Sequence, residues 1–335
     1  MLANAVIALL QAQTGGLPEY RVANTFDPLA TPGQVEKGIA LLTFAITLGI
    51  FIVTAGLIVY AIWRYRRRPG DESTQEPPQV YGSNQIEVAW TVIPILIVFV
   101  LIGVSVRVIA AVQDASPSPA GVKLRIVGHQ WWWTVEYPQF GVITANEIHL
   151  PVSADRKLVT QIQLESLDVA HSFWIPQLGG KWDLIPNRVN FTWIDPQKPG
   201  IYFGNCAEYC GTQHANMLLR LIAQPVDDFN RWANQQKLSA VDDPKVAEAK
   251  QTFLSLSCVN CHAIKGTPST GTFGPDLTHL MSRQTIGAGV VPLTHENLRE
   301  WVNDPQQIKP GCLMPSMKLN DRELDEVVAY LETLQ

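Results

Sequence analysis

The chain has 335 residues, with 25 Lys plus Arg against 30 Asp plus Glu, and a formal charge of −5 at neutral pH. That length accommodates two or three domains, and a mildly negative balance with no basic field argues against nucleic acid as a partner. Cys206, Cys210, Cys258, Cys261 and Cys312 fall into two closely spaced pairs and an odd thiol, so spacing carries their meaning.

Residues 1–13 are apolar, with small residues near Ala12 but no positive n-region. They read as a weak secretory leader or an uncleaved lead-in, and residues 1–34 are taken as the leader segment. From Ile39 to Trp63 no residue is charged, a run of about 25 residues that can cross a hydrocarbon core with some tilt. Arg64, Arg66, Arg67 and Arg68 follow at once. After a loop rich in Pro, Asp, Glu and Gln comes a second apolar run, Val88 to Val106, interrupted by Pro94, which membrane helices tolerate. Residues 35–114 are therefore expected to form a transmembrane helical hairpin in the plasma (inner) membrane. Its arginine cluster puts the connecting loop in the cytoplasm, so everything after Arg107 faces outward. Glu87, in Q-I-E-V-A-W, stands at the cytoplasmic mouth of the second helix, where an acid is ordinarily just a solvated end.

Asp114–Ala120 reads as a linker. Beyond it the period changes to two: Val122–Tyr137, V-K-L-R-I-V-G-H-Q-W-W-W-T-V-E-Y, alternates like a half-buried strand. Further β-rich pieces surround Glu147–Leu150, Leu158–Leu164, Arg188–Thr192 and Leu218–Ala223, punctuated by Gly, Pro, Asn and Asp as in a sandwich or barrel. Consecutive Trp131, Trp132 and Trp133 alternate faces, so at least one is expected at a surface or interface, as packing or as a docking surface beside a metal.

Within this β domain Cys206–Met217 reads C-A-E-Y-C-G-T-Q-H-A-N-M. Two thiolates, an imidazole and a thioether, with His171 of H-S-F-W upstream, make a soft donor set that favours copper over magnesium or calcium. Two thiolates can bridge two copper ions, each then taking one His and one weak ligand. His171, His214, Met217 and a main-chain carbonyl near Glu208 complete that set. A Cys206–Cys210 disulfide is the competing reading.

From Val226 to Asp243 the pattern turns polar and helical, then breaks at Asp242-Asp243-Pro244, and is taken as a second linker. Residues 244–335 carry C-V-N-C-H at Cys258–His262. This motif attaches a c-type haem through Cys258 and Cys261 and places His262 as proximal ligand. The sixth ligand would be a methionine. Met314, in the Pro-flanked C-L-M-P-S-M ahead of a closing helix at Asp321–Leu334, is preferred to Met317 and Met281. The Pro275 carbonyl is placed to fix the His262 tautomer. His279 and His295 read as surface residues, and Cys312 has no assigned role.

The order of a two-helix hairpin, G-H-Q-W-W-W-T-V-E-Y, H-S-F-W-I-P and C-A-E-Y-C-G-T-Q-H-A-N-M resembles subunit II of haem–copper cytochrome c oxidases. With C-V-N-C-H appended the chain is similar to the caa type, over residues 35 to 335. The resemblance implies a multidomain chain: the membrane hairpin, an all-β cupredoxin-like Greek-key domain over 121–226, and an all-α class I cytochrome c domain over 244–335. Both outer domains would lie on the periplasmic side. It also implies a dinuclear CuA centre held by His171, Cys206, the Glu208 carbonyl, Cys210, His214 and Met217, with the Glu208 side chain reaching a magnesium or manganese ion shared with subunit I. Trp131 matches the tryptophan through which electrons enter, although this chain has Trp132 where many relatives have Tyr. Glu87 matches the acid at the mouth of the K-type proton channel, and Asp183 falls in a region resembling the contact with subunit I. The implied partners are subunits I and III, a soluble cytochrome c or other donor, and the bilayer. The implied activity is electron input to oxygen reduction coupled to proton translocation. Two rivals share features: a CuA-bearing component of a nitric oxide or nitrous oxide reductase, and a quinol oxidase subunit II, which lacks the Cys pair.

Overall fold

A computed structural model of the chain describes residues 20–21, 23–69, 79, 81–113 and 121–335. The leader at 1–13 and the linker at Asp114–Ala120 lie outside the described residues. Helix α1 spans Thr31–Arg64 and α2 spans Asn84–Gln113. At ~1.5 Å per residue they reach about 50 and 45 Å, more than a hydrocarbon core needs. Apolar side chains surround both helices, so no polar face opposes a core-facing one. Phe51 is 67% exposed and Phe99 66%; a bilayer is the solvent in which such surfaces are covered, and a helix satisfies its own backbone there. The Thr43 and Thr47 hydroxyls do likewise, donating to the Ile39 and Thr43 carbonyls. Both helices outrun the uncharged stretches, because helical hydrogen bonding continues through polar flanks that the hydropathy signal does not see.

The β domain stacks two sheets. One runs β4–β3–β2–β6–β9 and the other β5–β11–β10–β7–β8, with β1 on β10. The stretch Val122–Tyr137, expected as one alternating strand, is a hairpin of β2 (Lys123–His129) and β3 (Trp132–Tyr137), with His129 opposite Trp132. Its inward residues include even-numbered Leu124 and Ile126 in β2 but odd-numbered Trp133, Val135 and Tyr137 in β3, a change of parity that marks the turn. Strands β4 (Val142–Ala145), β5 (Glu147–Pro151), β6 (Thr160–Ser166), β7 (His171–Trp174), β8 (Trp182–Leu184), β9 (Asn190–Ile194), β10 (Gly200–Cys206) and β11 (Leu218–Gln224) complete the two sheets.

Two segments assigned elsewhere from sequence belong to this domain. Residues 20–34, read as leader, contribute β1 (Tyr20–Arg21), which pairs parallel to β10, and Leu29 and Ala30, which enter the core. Thr31 donates its N–H and hydroxyl to the Asp195 carboxylate at 2.7 and 2.5 Å. Helix α3 (Val226–Gln236), read as part of a linker, buries Phe229 and Ala233 in the same core. Its Trp232 stacks on His149, with ring centroids 4.2 Å apart. Acidic and amide residues dominate its letters, and three apolar positions on one face suffice to dock it.

The C-terminal domain has its own core, formed by α4 (Ala247–Ser255), α5 (His295–Asn303) and α7 (Asp321–Leu331), with one-turn α6 (Pro305–Ile308) and the two-residue strands β12 (Thr285–Ile286) and β13 (Val291–Pro292) between them. Phe253 of α4 meets Tyr330 of α7 at 5.4 Å. Asn320 and Glu323 form a capping box that fixes the start of α7. His279 is buried rather than on the surface, its ring nitrogens facing the Gln335 and Leu238 carbonyls at 2.6 and 3.2 Å. His295 is exposed and pairs with Glu332. The architecture is multidomain: two apolar helices, a two-sheet β domain and a helical C-terminal domain.

Candidate metal and haem sites

Strand β10 ends at Cys206, which pairs with Phe173 of β7, two residues after His171. The loop from Cys206 to Met217 closes on itself, because the Cys206 N–H donates to the Met217 carbonyl at 3.0 Å. A second tie, from the Ala207 N–H to the Ser172 carbonyl at 2.9 Å, holds the loop against β7. Gly128 makes room for the His171 ring; a Cβ there would stand 2.8 Å from its Cδ2.

Six donor atoms converge as a result. The Cys206 and Cys210 sulphurs are 3.8 Å apart, far beyond the roughly 2.05 Å of a disulfide. Cys206 Sγ has His171 Nδ1 at 3.9 Å and the Glu208 carbonyl at 3.2 Å. Cys210 Sγ has His214 Nδ1 at 3.6 Å and Met217 Sδ at 3.8 Å. Each sulphur thus has its own imidazole and its own weak donor, arranged about a common pair of thiols. Cys206 is 2% exposed, Cys210 3%, and His171 and Met217 0%, so these four donors are shielded from water, while His214 is half-buried. The Cys210 S–H and His171 pull Cys206 well below the ordinary thiol range, and that thiolate pushes Cys210 up. Soft, paired and anionic, this donor set fits copper.

Asp168, which the sequence reading missed, orients the site. Its Oδ1 lies 2.7 Å from His171 Nε2, leaving Nδ1 toward the thiols, and its Oδ2 accepts the Gln130 N–H at 2.6 Å. Burial works against a charged His171, but the Asp168 carboxylate and the Cys206 sulphur together outweigh it and lift the imidazole above its ordinary value. Such a carboxylate fixes the ring and raises its basicity. Only an unremarkable S-L-D-V-A stands in the sequence, and contact across a strand end gives the residue its role.

In the C-terminal domain a cleft is lined by Cys258, Cys261, His262, Pro275, Met314 and Met317. His262 Nδ1 donates to the Pro275 carbonyl at 2.8 Å, which leaves Nε2 with its lone pair. Burial lowers the His262 pKa and keeps the imidazole a neutral donor. Gly274 is obligatory behind it, since a Cβ would lie 2.6 Å from the ring. Arg283, on the cleft wall, has a buried Nε without a partner among the described residues, a cationic donor suited to the carboxylate arms of haem. The cleft and its two thiols fit a covalent haem. Both Met314 and Met317 reach it, and Gln306 pins the nearer loop by donating to the Cys312 and Met314 carbonyls at 2.9 and 3.0 Å.

Trp131 lies where the two sites meet. It is 8% exposed, lines the haem cleft, and donates Nε1–H to the Cys210 carbonyl at 3.0 Å. Gly211, at φ +117°, passes beneath its ring at a distance no side chain could share. Trp133 is core, while Trp132 is half-buried, stacks on His129 at 4.1 Å and also lines the cleft. Glu208 is exposed beyond its carbonyl. Asp183 is exposed on β8, opposite Ser172. Glu87 is exposed in the first turn of α2.

A membrane hairpin bearing a soft-metal cupredoxin domain and a helical haem domain defines a membrane-anchored electron-transfer subunit. Residues 25–108 match the family described as cytochrome c oxidase subunit II, transmembrane domain; 143–224 match its periplasmic domain; and 246–335 match cytochrome c. Cytochrome c oxidase subunit 2 of Alkalihalophilus pseudofirmus is 32% identical over 330 residues, 96% of this chain and 93% of the relative. That of Bacillus sp. (strain PS3) is 31% identical over 332 residues, 93% and 91% of the two chains. Among solved structures, the periplasmic domain of subunit II of cytochrome oxidase of Bradyrhizobium japonicum is 30% identical, with a TM-score of 0.34, covering 36% of this chain and 97% of that one. The chain belongs to the cytochrome c oxidase subunit 2 family, with the family's copper-bearing periplasmic domain and an added haem-bearing cytochrome c domain. The full-length match leaves the nitrogen-oxide reductase and copper-free quinol oxidase alternatives without support.

Proposed function

We propose that electrons enter this subunit at the cytochrome c domain, cross to the copper domain beside Trp131, and leave toward subunit I. The observation that carries this reading is the position of Trp131, lining the haem cleft while hydrogen-bonded to the Cys210 carbonyl. Once bound, a covalent haem c and a dinuclear CuA centre supply the one-electron chemistry. The residues of the chain do the rest. Cys206 and Cys210 would hold the copper together with His171, His214, Met217 and the Glu208 carbonyl, and the closed loop with Asp168 keeps these donors in one geometry. His262 and Met314 would hold the haem iron, Met314 being favoured over Met317 by the Gln306 bond that holds its loop. The exposed Glu208 side chain is free to reach a magnesium or manganese ion shared with subunit I.

The same reading makes subunits I and III the membrane partners and a soluble cytochrome c the donor, with oxygen reduction in subunit I coupled to proton translocation. Glu87 is the acid at the mouth of the K-type channel, and Asp183 is on the face toward subunit I. Rapid mixing of the full, copper-loaded and haem-loaded chain with a reduced soluble cytochrome c tests the direction of flow. Haem absorbance should change first and copper absorbance after it. Copper reduced first, with the haem following or unchanged, contradicts the order.

A further inference from the structure

The β domain and the cytochrome c domain have separate hydrophobic cores, yet one buried cation passes between them. Lys309, from the haem domain, is 3% exposed. Its Nζ donates to the Trp131 carbonyl at 2.8 Å, the Asn216 carbonyl at 2.8 Å and the Gly287 carbonyl at 2.9 Å. An ammonium has three N–H donors, and all three are used. Two of the acceptors are in the copper domain, on the Trp131 turn and next to Met217; the third is in the haem domain.

A reciprocal contact runs the other way. Glu147 of the β domain is buried, and its carboxylate accepts the Gln284 N–H at 2.9 Å and the Thr285 hydroxyl at 2.7 Å, both from the haem domain. A third tie joins the same two domains, the Leu218 N–H donating to the Ala288 carbonyl at 3.1 Å. A charged or polar group removed from water is held only where carbonyls or N–H groups replace its hydration, so Lys309 and Glu147 each demand that the opposite domain be in place.

We propose that Lys309 is a positioning residue for electron exchange within this subunit: it clamps the Trp131 turn and the copper loop to the wall of the haem cleft, with Glu147 as the return clamp. The proposal rests on the electron-relay reading for its purpose, but the clamp itself is read by hydrogen exchange, which does not depend on electron transfer. Burial pushes the Lys309 ammonium down to about 8, and the three carbonyls favour its charged form against that loss of hydration. Any variant that keeps the aliphatic stem and loses the N–H donors releases the three carbonyls while leaving both cores intact.

The test uses the full chain in detergent with Lys309→Met, and Lys309→Gln as a second variant that retains two N–H donors without charge. In the copper-loaded and haem-loaded chain, hydrogen exchange at the Leu218 amide should accelerate about tenfold or more in Lys309→Met and less in Lys309→Gln. Amides within β2 and α7 should stay as in the parent. In the loaded chain, electron equilibration after flash reduction of the haem should slow about tenfold or more, with haem and copper spectra unchanged, because transfer is sensitive to small losses of position. An unaltered Leu218 amide overturns the proposal. So does equal acceleration throughout both domains, or failure of both variants to fold, since either makes Lys309 a general stabiliser. If the parent shows no haem-to-copper equilibration, the relay reading fails, while the exchange measurement still decides the clamp.

Discussion

The indole N–H of Trp131 donates to the backbone carbonyl of Cys210 at 3.0 Å, so a residue on the wall of the haem cleft is hydrogen-bonded to a proposed copper ligand. The same carbonyl accepts the Gln130 side-chain amide at 2.7 Å, and Asp168 ties the Gln130 N–H to His171. One small network therefore spans both cysteine-loop and histidine ligands.

Trp131→Phe removes the indole donor and keeps an aromatic ring. Cys210 retains its bond from Gln130, so copper content and haem spectrum should be unchanged, with a stability cost of about 1 kcal/mol. Steady-state oxidation of a soluble cytochrome c by the assembled oxidase should nonetheless fall severalfold or more. Turnover equal to the parent would remove Trp131 from the path.

Asp168→Asn keeps the shape and removes the charge facing His171. Losing such a partner weakens metal binding by roughly 10–100-fold, and copper competition with a chelator should show a shift of that size. An unchanged affinity would mean that β7 alone orients the ring.

Gly274→Ala tests the haem cleft. The added Cβ would sit 2.6 Å from the His262 ring, so covalent haem by pyridine haemochrome should drop to a small fraction of the parent. Metal binding in the β domain should persist, because its core is separate. Met314→Leu should abolish the methionine-to-iron absorbance band while Met317→Leu retains it; the reverse result moves the axial ligand to Met317.

Burial raises the Glu147 pKa above its ordinary 4.5, against opposing hydrogen bonds from Gln284 and Thr285 and the charges of Arg220 and Arg283. The folded chain thus keeps this proton to higher pH than the unfolded chain. Its contribution to stability is fully present below 4.5 and is lost as pH rises through the elevated folded value. Denaturant unfolding from pH 4 upward should show the parent losing stability relative to Glu147→Gln over that window. Parallel profiles would show that Glu147 does not titrate there.

Much of this molecule was legible as letters. Cys206, Cys210, His214 and Met217 lie in one loop, and Cys258, Cys261 and His262 in one motif, so sequence proximity stands in for spatial proximity. The apolar hairpin was equally plain, because the bilayer imposes length and composition. What escaped depends on the folded backbone. Lys309 is a common cation whose role comes from a carbonyl 178 residues away in the chain, and Asp168 is a common acid whose bond to His171, three residues on, depends on a turn that no letter pattern marks. The segment at 20–34 looked like leader because β-addition by two residues and burial of Leu29 and Ala30 leave no periodic trace. Helix α3 looked like linker because its polar face outnumbers its docking face.

The most direct test of the copper assignment is metal analysis with near-infrared spectroscopy of the full chain beside Cys206→Ser. The paired thiols should hold about two copper ions per chain with a mixed-valence band, and Cys206→Ser should lose that band. One copper per chain with no such band, or a band that survives in Cys206→Ser, would contradict a dinuclear centre on this loop.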